Sequence, residues 1–245
     1  MRQEATGMWT TPCPSCGVST FVLHIRCRHC GASVRDRIPV LHLFSTLWGA
    51  VEAPMQTALR VGRSEKKNYT YLLYALTGPL LLALLFFIAR VGYSDVQFAY
   101  LLLALAFAGP VLGLVLLSLA ALFQRVLFNT VFGIHLTYRL SAAWLAWSVS
   151  PLMWISVFIL PLQLAIFGSM LFSDNPAPWE IMPFPFWAFA VPALLAFLWS
   201  VLLLPLAFRP YGPAYSAILL LQLPIWLLLF AALAGGAFLL RAILF

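Results

Sequence analysis

Charge is what this sequence has least of. Asp, Glu, Lys and Arg make up 9% of 245 residues, 63% are hydrophobic, and mean hydropathy is +0.98. A chain this apolar is not a water-soluble globule of its length; it fits an all-α membrane protein with several spans. Catalytic signatures are missing too. There is no HExxH, no GxSxG, no glycine-rich phosphate loop and no carboxylate pair set for acid/base work. No enzyme is expected, and no site for a cofactor other than a metal. Cysteine is scarce: the chain has four, all before Gly31.

The charge that exists is unevenly placed. Up to Asn68, nine Arg or Lys stand against four acids (Glu4, Asp36, Glu52, Glu65), and the rest of the chain has five against three. A basic segment leading into a hydrophobic block points to a membrane surface. A nucleic-acid partner is not expected, since only about thirty residues are left for a soluble basic domain.

Those residues hold Cys13-Pro-Ser-Cys16-Gly17 and, ten residues on, Cys27-Arg-His-Cys30-Gly31. Each CxxC-Gly turn aims two thiolates at one point while the glycine takes the tight turn behind them, so two turns build a tetrahedral four-cysteine zinc ribbon. The rivals are a pair of disulfides, which CxxC spacing strains, and rubredoxin-like iron, for which the insert is short. Val18 to His24 reads as a short strand. His24 and His29 lie near the thiolates, but four cysteines close a zinc site and leave no open catalytic position. Thiolates need reducing surroundings, which puts this end in the cytosol, and Met1 to Thr11 lacks the apolar core of a secretory signal.

From Leu41 the period changes. Phe44, Leu47, Trp48, Val51, Met55, Ala58 and Leu59 recur every three or four residues, which predicts an amphipathic helix bent at Pro54. Aromatics on one face beside a basic collar (Arg60, Arg63, Lys66, Lys67) favour a place in the headgroup plane; the alternative is a cytosolic helix packed on the ribbon.

Five spans are expected. The first is Tyr71 to Ala89, the second about Phe98 to Phe123, the fourth about Pro185 to Phe208, and the fifth about Ala214 to Leu240. The third lies within Leu140 to Phe172, a stretch too long for one perpendicular crossing, which Pro151 or Pro161 should divide into an interfacial piece and a span. An odd count puts the C-terminus opposite a cytosolic N-terminus. Arg125, His135, Arg139 and Arg209 then share the N-terminal side, and Asp95, Asp174 and Glu180 the other. Arg90 and Arg241 break this rule but stand at helix ends, where they can snorkel. The domains are residues 1–38 (ribbon), 39–68 (amphipathic segment) and 69–245 (membrane block).

Prolines accompany every span. Gly78-Pro79 and Gly109-Pro110 read as tolerated kinks or, alternatively, as transporter-type breaks. Gly109 and Gly113 make a GxxxG step for close helix packing. The span centres hold no ionisable residue, and Gln163 and Gln222 are the polar candidates, read first as interhelical hydrogen-bonders.

The cysteine quartet, Trp48, Ala53-Pro54, Thr57, Lys67-Asn68-Tyr69 and the Phe208-Arg209-Pro210-Tyr211-Gly212 turn together resemble a family of uncharacterised bacterial inner-membrane proteins. That family joins an N-terminal zinc ribbon to about five spans and is loosely similar to the Yip-type membrane-trafficking proteins. The resemblance implies a cytosolic N-terminus and four thiolate ligands, and transfers no other functional residue. Yip-type proteins carry Asp-Leu-Tyr-Gly-Pro at the start of their membrane block, whereas here Tyr211-Gly212-Pro213 stands alone before the last span, so no small-GTPase partner is inferred. The expected function is a membrane scaffold or assembly protein whose cytosolic ribbon recruits a partner protein or contacts lipid; the alternative is a small transporter or channel component.

Overall fold

The computed structural model describes residues 10–21, 24, 26–34, 38, 40–91, 98–132, 136–173, 176–208 and 215–244. Two short antiparallel strands, β1 (Thr10–Pro12) and β2 (Ser19–Phe21), precede an all-helical remainder. Five helical stretches are long and apolar enough to cross a membrane: Thr70–Ala89, Phe98–Val131, Ser150–Phe172, Pro183–Leu206 and Leu223–Ala242. In hydrocarbon a backbone must satisfy its own hydrogen bonds, so uncharged runs of this length fold as helices. The outer face of the second shows what surrounds it: Phe107, Val111, Val115, Leu119, Leu122 and Val126 fall in one stripe and are all exposed. The protein is an all-α, integral-membrane bundle with a small β-type head.

The first span, α3 (Thr70–Ala89), crosses α5 (Gly109–Phe132) backbone to backbone. A Cβ placed on Gly78 would stand 2.0 Å from the Gly109 carbonyl oxygen, and one on Gly113 would stand 2.3 Å from that of Tyr74. The GxxxG step therefore acts as expected, with Gly78 as its counterpart. Between lipid-exposed helices the drive to associate is close packing, and only glycine permits this approach.

The prolines explain two wide turns. The π-helical turns Ala104–Ala108 and Ile155–Ile159 each end just before a proline, Pro110 and Pro161. Proline cannot donate to the carbonyl four residues back and its ring crowds that oxygen, so the preceding turn opens by one residue. Pro79, by contrast, sits inside an unbroken α3. The second helical stretch runs on from α4 (Phe98–Leu103) through the π turn to Phe132, well past the expected end at Phe123.

The long third stretch divides at Val149, ahead of Pro151, into α6 (Tyr138–Ser148) and a span that starts with α7 (Ser150–Trp154) and continues through α8 (Leu160–Phe167). The piece ahead of the span is packed into the protein: every residue of α6 from Ser141 to Ser148 is buried. Ser141, Ala142, Ala143 and Ala146 are small enough to let neighbours close in. Ser141 Oγ donates to the Ala121 carbonyl at 2.8 Å, and Tyr74 Oη donates to that of Ala142 at 3.0 Å. After the short helix α9 (Pro178–Ile181), α10 (Pro183–Phe208) and α11 (Tyr215–Leu244) complete the bundle close to the expected limits.

The amphipathic segment is two helices, α1 (Leu43–Glu52) and α2 (Pro54–Arg63), broken at Ala53 with Pro54 as the first residue of the second. Pro54 starts a helix well because its fixed φ suits that position and its missing N–H would be unpaired there. Leu41, Leu47 and Val61 join the same buried core as Trp144 and Leu204, and Trp144 Nε1 donates to the Ala58 carbonyl at 3.2 Å. The pair thus rests on the membrane block. Phe44 (75% exposed), Trp48 (70%) and Val51 point away from it.

One member of the basic collar turns inward. Lys67 Nζ donates to the carbonyls of Val61, Gly62 and Ser64 at the C-terminal end of α2, where helix carbonyls lack partners of their own. Burial, and secondarily the charge of Arg139, pull its pKa down to about 8. Asn68 and Tyr69 follow, the latter in the left-handed region (φ 67°), and Thr70 Oγ1 donates back to the Lys67 carbonyl at 2.9 Å. Arg90 caps α3 and Arg241 lies in the last turn of α11, both exposed as snorkelling requires. Asp95, His135, Asp174 and the Arg209 to Pro213 turn lie outside the described residues.

Candidate metal centre

The two CxxC-Gly turns fold alike. In the first, Cys13 N–H bonds to the Val18 carbonyl (3.0 Å) and Gly17 N–H to that of Cys13 (2.9 Å). In the second, Cys27 N–H bonds to Ala32 (2.9 Å) and Gly31 N–H to Cys27 (3.0 Å). Gly17 and Gly31 have φ of 70° and 71°, which explains the glycine in each turn. The β1–β2 pair carries the first turn, and an isolated Arg26–Ser33 bridge closes the second.

Face to face, the turns bring Cys13, Cys16, Cys27 and Cys30 together with all four sulfurs within 4.8 Å of one another, none in a disulfide. Cys13 and Cys30 Sγ are 3.6 Å apart, and Cys16 and Cys27 Sγ 3.7 Å. Tetrahedral metal–sulfur bonds of about 2.3 Å require sulfurs about 3.8 Å apart, so the quartet fits a single metal ion.

The electrostatics agree. Backbone N–H groups of Cys30 and His29, assisted by Thr20 Oγ1, draw the Cys27 thiol down to about 6. Ser15 and Cys16 N–H groups lower Cys13 in the same way. The Val18 N–H pulls Cys16 down as well, but Cys30, burial, Cys13 and Cys27 outweigh it and push Cys16 up to about 12. Four thiolates this close cannot all ionise without a cation among them. The side chains of His24 and His29 are not among the four candidate ligands; burial, then Arg28, lowers His24.

Of the two polar candidates in the spans, Gln163 is half-buried on α8, and the side chain of Gln222 lies outside the description. The residues that sequence reasoning missed are Gln124 and Ser156. Gln124 is fully buried on α5 with neither amide atom hydrogen-bonded, and Ser156, 5% exposed, has an unpartnered hydroxyl. Gln124 was discoverable, because Leu117, Ala121, Gln124 and Phe128 follow the four-three-four spacing of one buried face. Nothing in the sequence marks Ser156.

The site and fold define a class, an integral-membrane helical bundle bearing a four-cysteine head with room for one metal ion. Compared with protein-family models, curated proteins and solved structures, the chain matches none.

Proposed function

We propose that the protein is a membrane scaffold or assembly factor that works by binding, with no substrate turned over. Its cysteine quartet holds one structural zinc ion, its N-terminal side is cytosolic, its C-terminus is on the opposite side of a bacterial inner membrane, and α1 with the ribbon forms the surface that meets a partner protein or lipid. The observation that carries this is the mounting of α1. Its aromatic face, Phe44 and Trp48, is turned outward, while α2 is fixed to the bundle through Val61 and the Trp144–Ala58 hydrogen bond. A rigidly held aromatic face that follows a metal-stiffened head in the chain is suited to contact.

The transporter alternative needed breaks at Gly78-Pro79 and Gly109-Pro110 that open toward an ion. The scaffold reading is supported by α3 running unbroken through Gly78-Pro79 and by the close packing of Gly78 on Gly109. To test the proposal, a photo-crosslinking amino acid at position 44 or 48 should capture one defined protein, or phospholipid, in intact cells. Reporter fusions after Asn68 and Phe245 should report opposite compartments. Flux of an ion or solute through liposomes that Gln163→Ala abolishes, with crosslinking intact, would replace this reading with the transporter.

A further inference from the structure

The α1–α2 pair lies beside the bundle and not across its end. Ala50 of α1 and Pro54 and Thr57 of α2 meet Trp147 and Leu203 around one small cavity. Because α10 runs on from Leu203 to Phe208, the pair packs against the flank of that helix.

Three spans give the depth of this contact. Leu203 is three residues short of the end of the fourth span, and Trp147 is three residues ahead of the start of the third. Tyr74, bonded to the Ala142 carbonyl of α6, is the fifth residue of the first span. These three span ends share one side of the membrane, since successive spans alternate in direction. Each contact residue is within about 6 Å of its span end along the helix axis. The α1–α2 pair therefore sits at the edge of the hydrocarbon layer, where headgroups begin.

A side chain pointing away from the bundle at that level meets lipid. α1 turns Phe44, Trp48 and Val51 outward, four and three residues apart, while Thr46, Leu47 and Ala50 on its other side are buried. Tyr71, the second residue of the first span, is exposed at the same level. Trp and Tyr gather where hydrocarbon meets headgroups. The exposed charge nearby is mostly basic: among the described residues from 40 to 140 on this side, Arg60, Lys66, Arg125 and Arg139 stand against Glu52 and Glu65.

We propose that α1 is an interfacial anchor: its Phe44–Trp48–Val51 face lies in the leaflet on the N-terminal side, among anionic phospholipids that Arg60 and Lys66 attract. This rests on the reading of α1 as a contact surface and commits its occupant to lipid, which leaves a protein partner to the ribbon. Depth and charge select the occupant. A soluble partner would have to displace headgroups to reach the aromatic face, and basic side chains at a membrane surface favour anionic over zwitterionic lipid.

Full-length protein with p-benzoylphenylalanine in place of Trp48 should form lipid adducts on irradiation in vesicles of equal phosphatidylcholine and phosphatidylglycerol. Phosphatidylglycerol adducts should be about five-fold in excess, the contribution of one surface charge, and the excess should shrink in high salt. Arg60→Glu combined with Lys66→Glu, both at exposed positions, should bring the ratio to one or below. Absence of lipid adducts, equal adducts without the charge changes, or an excess that survives them would each overturn the proposal. So would a protein adduct at position 48 in intact cells, which leaves the scaffold reading standing. Solute flux through the same vesicles that Gln163→Ala abolishes would end the scaffold reading, while lipid adducts at position 48 would still support the anchor.

Discussion

The side-chain amide of Asn68 pairs with both backbone groups of Leu41. Nδ2 donates to the Leu41 carbonyl at 3.0 Å, and Oδ1 accepts from its N–H at 3.1 Å. This ties the chain entering α1 to the turn entering the first span, across twenty-seven residues. Ile38 adds a bridge to Ser64 beside it, with Glu65 N–H on the Ile38 carbonyl at 2.9 Å. Asn68→Asp keeps the acceptor and sets a carboxylate against the Leu41 carbonyl, so it should cost more than Asn68→Ala, which loses about 1–3 kcal/mol of paired backbone. Limited proteolysis should then cut within residues 39–68 before the spans unfold. Equal resistance in all three proteins would remove the clamp from the account.

The glycine crossing sets a stricter test. Gly78→Ala puts a methyl where the Gly109 carbonyl already stands, and neither partner is a flexible side chain that could move aside. Overpacking of this kind costs about 1–3 kcal/mol or more. Gly235→Ala is the control, because nothing lies within 4 Å of its Cβ. The unfolding midpoint in detergent should fall for Gly78→Ala and hold for Gly235→Ala. If both hold, α3 and α5 are not packed through these glycines.

Much of this was legible, and the gaps have physical causes. The spans, the cysteine quartet and the GxxxG step are read from local rules of length, spacing and residue size. The burial of α6 was not legible, since an apolar stretch looks the same whether lipid or protein surrounds it. Only the long-range bonds of Ser141 to Ala121 and Tyr74 to Ala142 reveal which it is. Lys67 failed for a related reason: as a charge in a basic run it belongs with the collar, and only the position of the α2 terminus turns it into a cap.

Metal retention should depend on pH in a defined direction. Ligand thiols must be deprotonated, so binding releases protons and weakens as pH falls. Cys27 is drawn down to about 6 and Cys13 is lowered too, so these two are the readiest thiolates at neutral pH, while Cys16 loses its proton to solvent only when the cation binds. Bound metal holds these thiolates against protons below the free-thiol value, so acidification should weaken retention progressively and release about one ion per chain, seen with a chromophoric chelator. Thr20→Val removes the hydroxyl at 3.7 Å from Cys27 Sγ and should shift release toward higher pH. Retention that did not weaken at all on acidification would count against thiolate ligation.

Gln124 gives the last prediction, and its sign is unusual for a buried residue. It is 0% exposed on a face shared with Leu117, Ala121 and Phe128, and neither end of its amide has a partner. An unpaired buried amide costs about 1–3 kcal/mol, and an apolar replacement of similar volume removes that cost without opening a cavity. Gln124→Leu should therefore raise the unfolding midpoint in detergent. Gln124→Ala should lower it, since the lost methylenes leave a hole whose cost exceeds the polar gain. Gln124→Glu should lower it most, because a carboxylate there must bury a charge or a proton. If Gln124→Leu instead destabilised the protein or weakened partner capture at α1, the amide would be holding a water, an ion or a partner group in the living protein, and position 124 would move from packing to function.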